Sequence, residues 1–244
     1  VALDDHGWDA LFLGNHDQPR TVSRFGDEAY HRRSASLIGT FLLTMRGTPY
    51  VYQGEEIGMT NATFDSLDEL DDPQTIGRVE QMIANDEADS FEDVRTLVNH
   101  QSRDHARTPM QWSDTDAAGF TDGDPWLTCN DDYTEINVAA QRDDPASVLN
   151  QYRELIDLRH AEDVLVYGDY DLLVSDDEQL YAYTRSLDDE TVLVVLNWSS
   201  DPVTFEGDAI DTSAASVLYA NTTQPPTDPS NAALRPYEAV VYRL

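Results

Sequence analysis

Residues 15–17, Asn-His-Asp, set an amide, an imidazole and a carboxylate side by side where the apolar run Ala10–Gly14 stops. Two readings fit. Asn, Asp and Gly are turn residues, and a strand has to end somewhere. The sharper reading is a polar cluster at the C-terminal end of a barrel strand, where α/β-barrel enzymes carry their chemistry. In an extended backbone successive side chains face opposite sides, so His16 and Asp17 converge on one ligand only if the strand breaks there. Asn15 to Pro19 suit such a break, and Pro19 opposes helical continuation.

Other chemistry-bearing residues are less suggestive. Glu55 and Glu56 form an acid pair, but adjacent side chains at a strand end diverge, so they read as loop architecture. His6, His31, His100, His105 and His160 lack metal-ligand spacing such as H-E-x-x-H. His160 fits the negative end of a helix dipole. Trp112 and Trp126 read as packed loop anchors rather than ligand-stacking platforms. The single cysteine, Cys129, excludes an internal disulfide.

Positioning elements follow from periodicity. A short strand is expected within residues 3–13. Ala35, Leu37, Ile38, Phe41, Leu42 and Met45 recur at helical spacing over 28–45. Tyr50–Tyr52 form a β-type run closed by Gly54. Strand, helix, strand in this order is the repeating element of an α/β barrel. Residues 60–100 are acidic and helix-favouring, with Ser90 and Asp93 placed as a capping pair. The stretch at 114–126 is Gly/Asp-rich and irregular. Residues 146–160 form an amphipathic helix with Leu149, Tyr152, Leu155, Ile156 and Arg159 on its period. After Asp163 the texture changes to short β runs separated by turn residues, which indicates an antiparallel sandwich-like domain.

Composition bounds the function. The 244 residues include 40% hydrophobic side chains, enough for a core. Acidic residues number 47 against 15 basic, a net charge of −32, and there is no Lys, so every basic residue is Arg. Such charge repels nucleic acid and anionic membranes. It also repels itself at low salt and is screened in molar salt, which points to a salt-loving organism. No apolar run reaches a membrane span. The sequence lacks a starting Met and a signal-like N-terminus, which suggests an upstream part that could carry a signal. The expected location is the cytoplasm of a salt-in halophile, or outside the cell if that part carries one. Sequons at Asn61, Asn197 and Asn221 carry no functional weight, being frequent by chance.

The strings GNHDQPRTVSRFGD, RGTPYVYQGEEIGMTN, RDHARTPMQW, EINVAAQ and LRPYEAVVYRL, in this order, resemble the C-terminal half of an α-glucosidase of glycoside hydrolase family 13. The oligo-1,6-glucosidase branch is the best match. The resemblance runs from Trp8 to Leu244. It implies a fold of α/β plus β type: the C-terminal part of a (β/α)8 barrel over 1–162, with an elaborated loop at about 60–145, then an antiparallel β-sandwich domain over 163–244. It implies hydrolysis of terminal α-glucosidic bonds of short oligosaccharides with retention.

Retention uses two carboxyl groups roughly 5 Å apart, a nucleophile and an acid/base. In the family both come from earlier strands, so the N-terminal half of the same enzyme is the implied partner and the isolated chain is expected to be inactive. What remains is the family's third carboxylate, and the resemblance gives that role to Asp17. Such a carboxylate stabilises positive charge growing on the sugar ring and holds the ring distorted. His16 and Arg103 are implied to bind the terminal glucose; the other reading of Arg103 is a surface salt bridge. Arg20 is expected to pair with an acid that orients the site. No cofactor and no metal are implied. The contrasting reading is a non-catalytic truncated relative or carbohydrate-binding remnant. Trehalose-phosphate hydrolases, dextran glucosidases and sugar isomerases share much of this half.

Overall fold

The computed structural model describes residues 7–207 and 210–244, and His6 lies outside them. Two compact units form, neither continuous in sequence. Among the described residues, one comprises 7–12, 26–50, 146–207 and 210–244, the other 13–25 and 51–145.

In the first unit, β1 (Ala10–Leu11) pairs in parallel with β2 (Thr48–Pro49). The strand expected within 3–13 is therefore two residues long among the described residues. The second strand precedes Tyr50–Tyr52. Tyr50 still donates its N–H to Leu11 O at 2.7 Å, but the chain then turns and makes no further ladder. The helix expected over 28–45 divides into a 3-10 turn, Glu28–Tyr30, capped by Asp27, and an α-helix, His31–Thr44.

That helix buries Leu37, Ile38, Leu42 and Leu43 and packs on a second helix, Val148–Ala161. A Cβ on Gly39 would lie 2.7 Å from the Tyr152 ring, so the close approach requires glycine. Its buried hydroxyls stay satisfied inside the helix: Ser36, Thr40 and Thr44 each donate to the carbonyl four residues back. On the second helix Val148, Leu149, Tyr152 and Leu155 form the buried stripe, while Ile156, expected on the same period, is exposed. Arg159 is buried on that stripe and donates to the carbonyls of Leu43, Met45, Gly47 and Leu165.

The run VLVY after Asp163, expected as β, is helical over Asp163–Tyr167. Val164 and Leu165 bury completely from that helix, and tertiary burial overrides β propensity. Seven strands follow: β3 (Asp169–Leu172), β4 (Leu180–Leu187), β5 (Glu190–Asn197), β6 (Val203–Glu206), β7 (Ser216–Ala220), β8 (Asn231–Leu234) and β9 (Ala239–Arg243). They make an antiparallel sheet in the order β3-β4-β5-β9-β7 and a separate antiparallel pair, β6-β8. Leu193, Val195, Val240 and Tyr242 from the large sheet share one core with Phe205, Ala232 and Leu234 from the pair. Two layers closing on one core is sandwich packing.

Arg185, on β4, is fully buried and has no carboxylate partner among the described ion pairs. It donates to the carbonyls of Thr44, Leu165 and Gly168. Burial lowers its pKa to about 10, so it remains a cation at neutral pH. With Arg159 it occupies the carbonyl ends of two helices, where positive charge is favoured and orphan acceptors need donors. Two sequons are structural: Asn197 and Asn221 are buried and donate their amides to backbone carbonyls.

The second unit has its own core of Ala62, Phe64, Leu70, Val79, Val94 and Val98. Two helices, Pro73–Ala84 and Phe91–Gln101, supply Val79, Val94 and Val98. The capping box of Ser90 and Asp93 is present. A 3-10 segment, Arg103–Arg107, follows, capped by Ser102.

Candidate active site

Asn15 makes the turn. Its Oδ1 accepts the N–H of Asp17 at 2.8 Å, and its carbonyl accepts from Gln18 at 3.3 Å. This is an Asx turn. The turn reading of the stretch holds: the amide of Asn15 bends the chain two residues before the Asp17 carboxylate.

Asp17 sits in a cradle of two arginines. Its Oδ1 accepts from Arg103 Nη1 and from Arg107 Nη2, each at 3.1 Å. Arg107 also donates from Nε to the carbonyl of His16 at 2.9 Å, so one guanidinium grips both backbone and side chain of the turn. The arginines are held in turn from below. Arg103 binds Asp72 through Nε at 3.1 Å and Nη2 at 2.6 Å. Arg107 Nη1 lies 3.6 Å from Asp72 and 3.5 Å from Asp104. A fork of fixed donors on carboxylates is the geometry arginine provides and lysine does not.

Asp72 is the keystone. Its side chain is fully buried, and it caps the helix Pro73–Ala84 by accepting from the N–H groups of Gln74 and Thr75 and from the Thr75 hydroxyl. Burial alone would raise its pKa, but the bonds from Arg103 and Thr75 outweigh that and hold it well below the usual carboxylate range. Asp104 accepts the backbone N–H groups of Asp71 and Asp72, both at 2.8 Å, and so anchors the strut itself. Asp17 and Arg103 border a cleft of about 220 Å³, with Asp72, Gln74 and Ser102 among its polar walls and Val79 and Leu97 among its apolar ones.

The structure brings together three of the four site residues expected from sequence. His16 is exposed, with Nε2 3.4 Å from Asp17 Oδ2. Arg20 is a correction. It is buried, but it donates to the carbonyls of His105 and Gln53 and to the Thr108 hydroxyl rather than to an acid. It ties loop backbones together. Trp112 and Trp126, expected as packed loop anchors, are instead exposed. Arg107 was not singled out by sequence. Its signal was present as the second arginine, four residues after Arg103 in RDHAR, on the segment that holds the first. Glu55 and Glu56 each accept a loop N–H, from Tyr52 and from Gly54. Among the described residues no group of three or more His, Cys, Asp or Glu is arranged to hold a metal ion.

Residues 1–168 match the model of the α-amylase catalytic domain, and residues 170–241 match the C-terminal domain of maltogenic amylase. The chain belongs to the α-amylase family. Its fold is accordingly part of a (β/α)8-barrel catalytic domain followed by the antiparallel β domain described above. This α-amylase-family chain is 44% identical over 245 residues to an oligo-1,6-glucosidase of Parageobacillus thermoglucosidasius, covering 99% of the chain and 43% of that protein. It is 40% identical to a trehalose-6-phosphate hydrolase of Bacillus subtilis, covering 98% and 43%. Among solved structures, a trehalulose synthase variant in complex with Tris superposes with a TM-score of 0.93 at 40% identity, covering 98% of this chain and 44% of that one. The chain thus spans less than half the length of these relatives.

Proposed function

We propose that this chain is the C-terminal half of a retaining α-glucosidase acting on short oligosaccharides, and that Asp17 is its transition-state carboxylate. The observation that carries the reading is the cradle: a half-exposed carboxylate at a cleft edge, its orientation set by two guanidiniums that are themselves anchored on the buried Asp72. A carboxylate held this way needs no reorganisation as charge builds on a sugar ring. Arg103 and His16 lie beside it as donors to sugar hydroxyls. The attacking and protonating carboxyls belong, on this reading, to a part of the polypeptide outside these 244 residues. On this reading the barrel part runs to about residue 162 and the C-terminal domain from 163, with its first strand at Asp169–Leu172.

Similarity to oligo-1,6-glucosidases supports the substrate class. The trehalose-6-phosphate hydrolase similarity favours a second reading, a phosphorylated disaccharide as substrate. The full-length polypeptide, given p-nitrophenyl α-glucoside, is expected to release glucose first as the α-anomer, read by proton NMR in the opening minutes. Initial β-glucose, or turnover of trehalose 6-phosphate alone, overturns it. We also infer a high-salt setting from the charge of −32 and the absence of Lys.

A further inference from the structure

One buried carboxyl of the second unit packs against the residue that precedes Asn15. Glu55 is 5% exposed. Its Oε2 accepts the Tyr52 N–H at 3.1 Å. Its Oε1 makes no hydrogen bond of normal geometry, and it lies against Gly14, the residue that starts the Asn15–Asp17 turn. A Cβ on Gly14 would stand 2.3 Å from that oxygen, so the turn's backbone rests directly on the carboxyl. Arg20 fixes the same loop from the other side by donating to Gln53 O at 2.7 Å.

We propose that Glu55 is a positioning residue: its ionised carboxyl props the Gly14 peptide and thereby sets the turn that presents Asp17. Ionised, it attracts the N–H groups of Tyr52 and Gly14; protonated, it loses that pull, and the turn loses its support. The groups facing it place the change near neutrality. Burial pushes the carboxyl up to about 7; the Tyr52 N–H, the Arg20 charge and the Gly14 N–H favour ionisation, and the Glu56 charge opposes it. The sign for stability is opposite to that for function. Between its unfolded value of about 4.5 and about 7 the folded state holds a proton that the unfolded state releases. Ionising Glu55 therefore destabilises the fold as pH rises through that window. A strained group kept where activity needs it is a known trade of stability for function.

The kinetic part of the test rests on the α-glucosidase reading; the exchange part does not. In the full-length polypeptide, wild-type kcat on p-nitrophenyl α-glucoside is expected to fall on the acid side with a limb near pH 7. Glu55→Gln is expected to lower kcat about tenfold at pH 8, since a small displacement of a reacting group is costly. It should also remove the limb and raise Tm more at pH 8 than at pH 5. A merely structural Glu55 would move neither limb nor kcat. Hydrogen exchange at pH 8 should quicken in the peptide spanning 13–18 and stay unchanged over 180–197. A variant with normal kcat, an intact limb and unchanged exchange overturns the proposal. If the wild type hydrolyses no α-glucoside, the functional reading fails, and the exchange comparison still decides the positioning role. Should Glu55→Gln not fold, Gly14→Ala probes the same contact from the other side. The same faster exchange over 13–18 is expected, and wild-type exchange and limb in that variant overturn the proposal.

Discussion

Asp17→Asn in the full-length polypeptide is expected to lower kcat on an aryl α-glucoside by roughly 10²-fold or more, the scale of losing one transition-state electrostatic contact. The substitution keeps the volume and the turn, because the Asn15 contact is to the backbone N–H of residue 17 and not to its side chain. Arg103 and Arg107 lose the charge at residue 17 but can still donate to its amide oxygen and keep Asp72 and Asp104, so the cradle survives. The side chain is half-exposed, and its loss leaves no buried group unpaired. The fold should therefore melt within a few degrees of wild type. Near-normal turnover would show that another carboxylate carries the role.

The second large effect is on stability. Raising KCl from 0.1 to 2 M is expected to raise the Tm of the full-length polypeptide by roughly 10 °C or more, the shift given by a few kcal/mol of relieved repulsion. The net charge is −32. At 0.1 M salt these charges interact over about 10 Å, while at 1 M the screening length falls to about 3 Å. The described ion pairs do little to offset the excess, since several acids share each guanidinium around the cradle. A Tm flat or falling with salt, followed by circular dichroism, would remove the basis for a high-salt setting.

What was legible in the sequence divides by the range of the cause. Local signals held: the Ser90–Asp93 capping box formed where its spacing placed it, and the short β runs read after Asp163 supply the strands observed at 180–187, 190–197 and 239–243, which lie in one sheet. Elements set by tertiary burial did not. The VLVY run has β-type residues and became helical because Val164 and Leu165 bury that way. The strand β8, Asn-Ala-Ala-Leu, has weak β propensity and exists because it closes the core beside Phe205.

The site shows the same division. Asn15 to Asp17 could be read because turn chemistry and carboxylate are adjacent in sequence. Asp72 could not, since it lies in the acidic run DELDD, where one carboxylate looks like the next. Only the following Pro73 marks it, as a helix cap. Its pairing with Arg103 spans 31 residues and depends on a 3-10 segment that no periodicity announces. Arg159 followed the helical period correctly, yet its burial depends on carbonyls at 43, 45 and 47 that only the folded chain brings to it. Glu55 was rightly read as part of the loop, and its contact with Gly14, 41 positions earlier, was out of reach for the same reason.

The central claim is that this chain supplies the third carboxylate and its cradle to a site whose attacking and protonating carboxyls lie elsewhere. Its most direct test is p-nitrophenol release from p-nitrophenyl α-glucoside in molar KCl. Residues 1–244 alone are assayed beside the full-length polypeptide. The account predicts turnover by the full-length polypeptide and none above a buffer blank by the chain alone, because a positioned charge cannot replace an absent nucleophile. Turnover by residues 1–244 alone, abolished by Asp17→Ala, would contradict it and place a complete site within this chain.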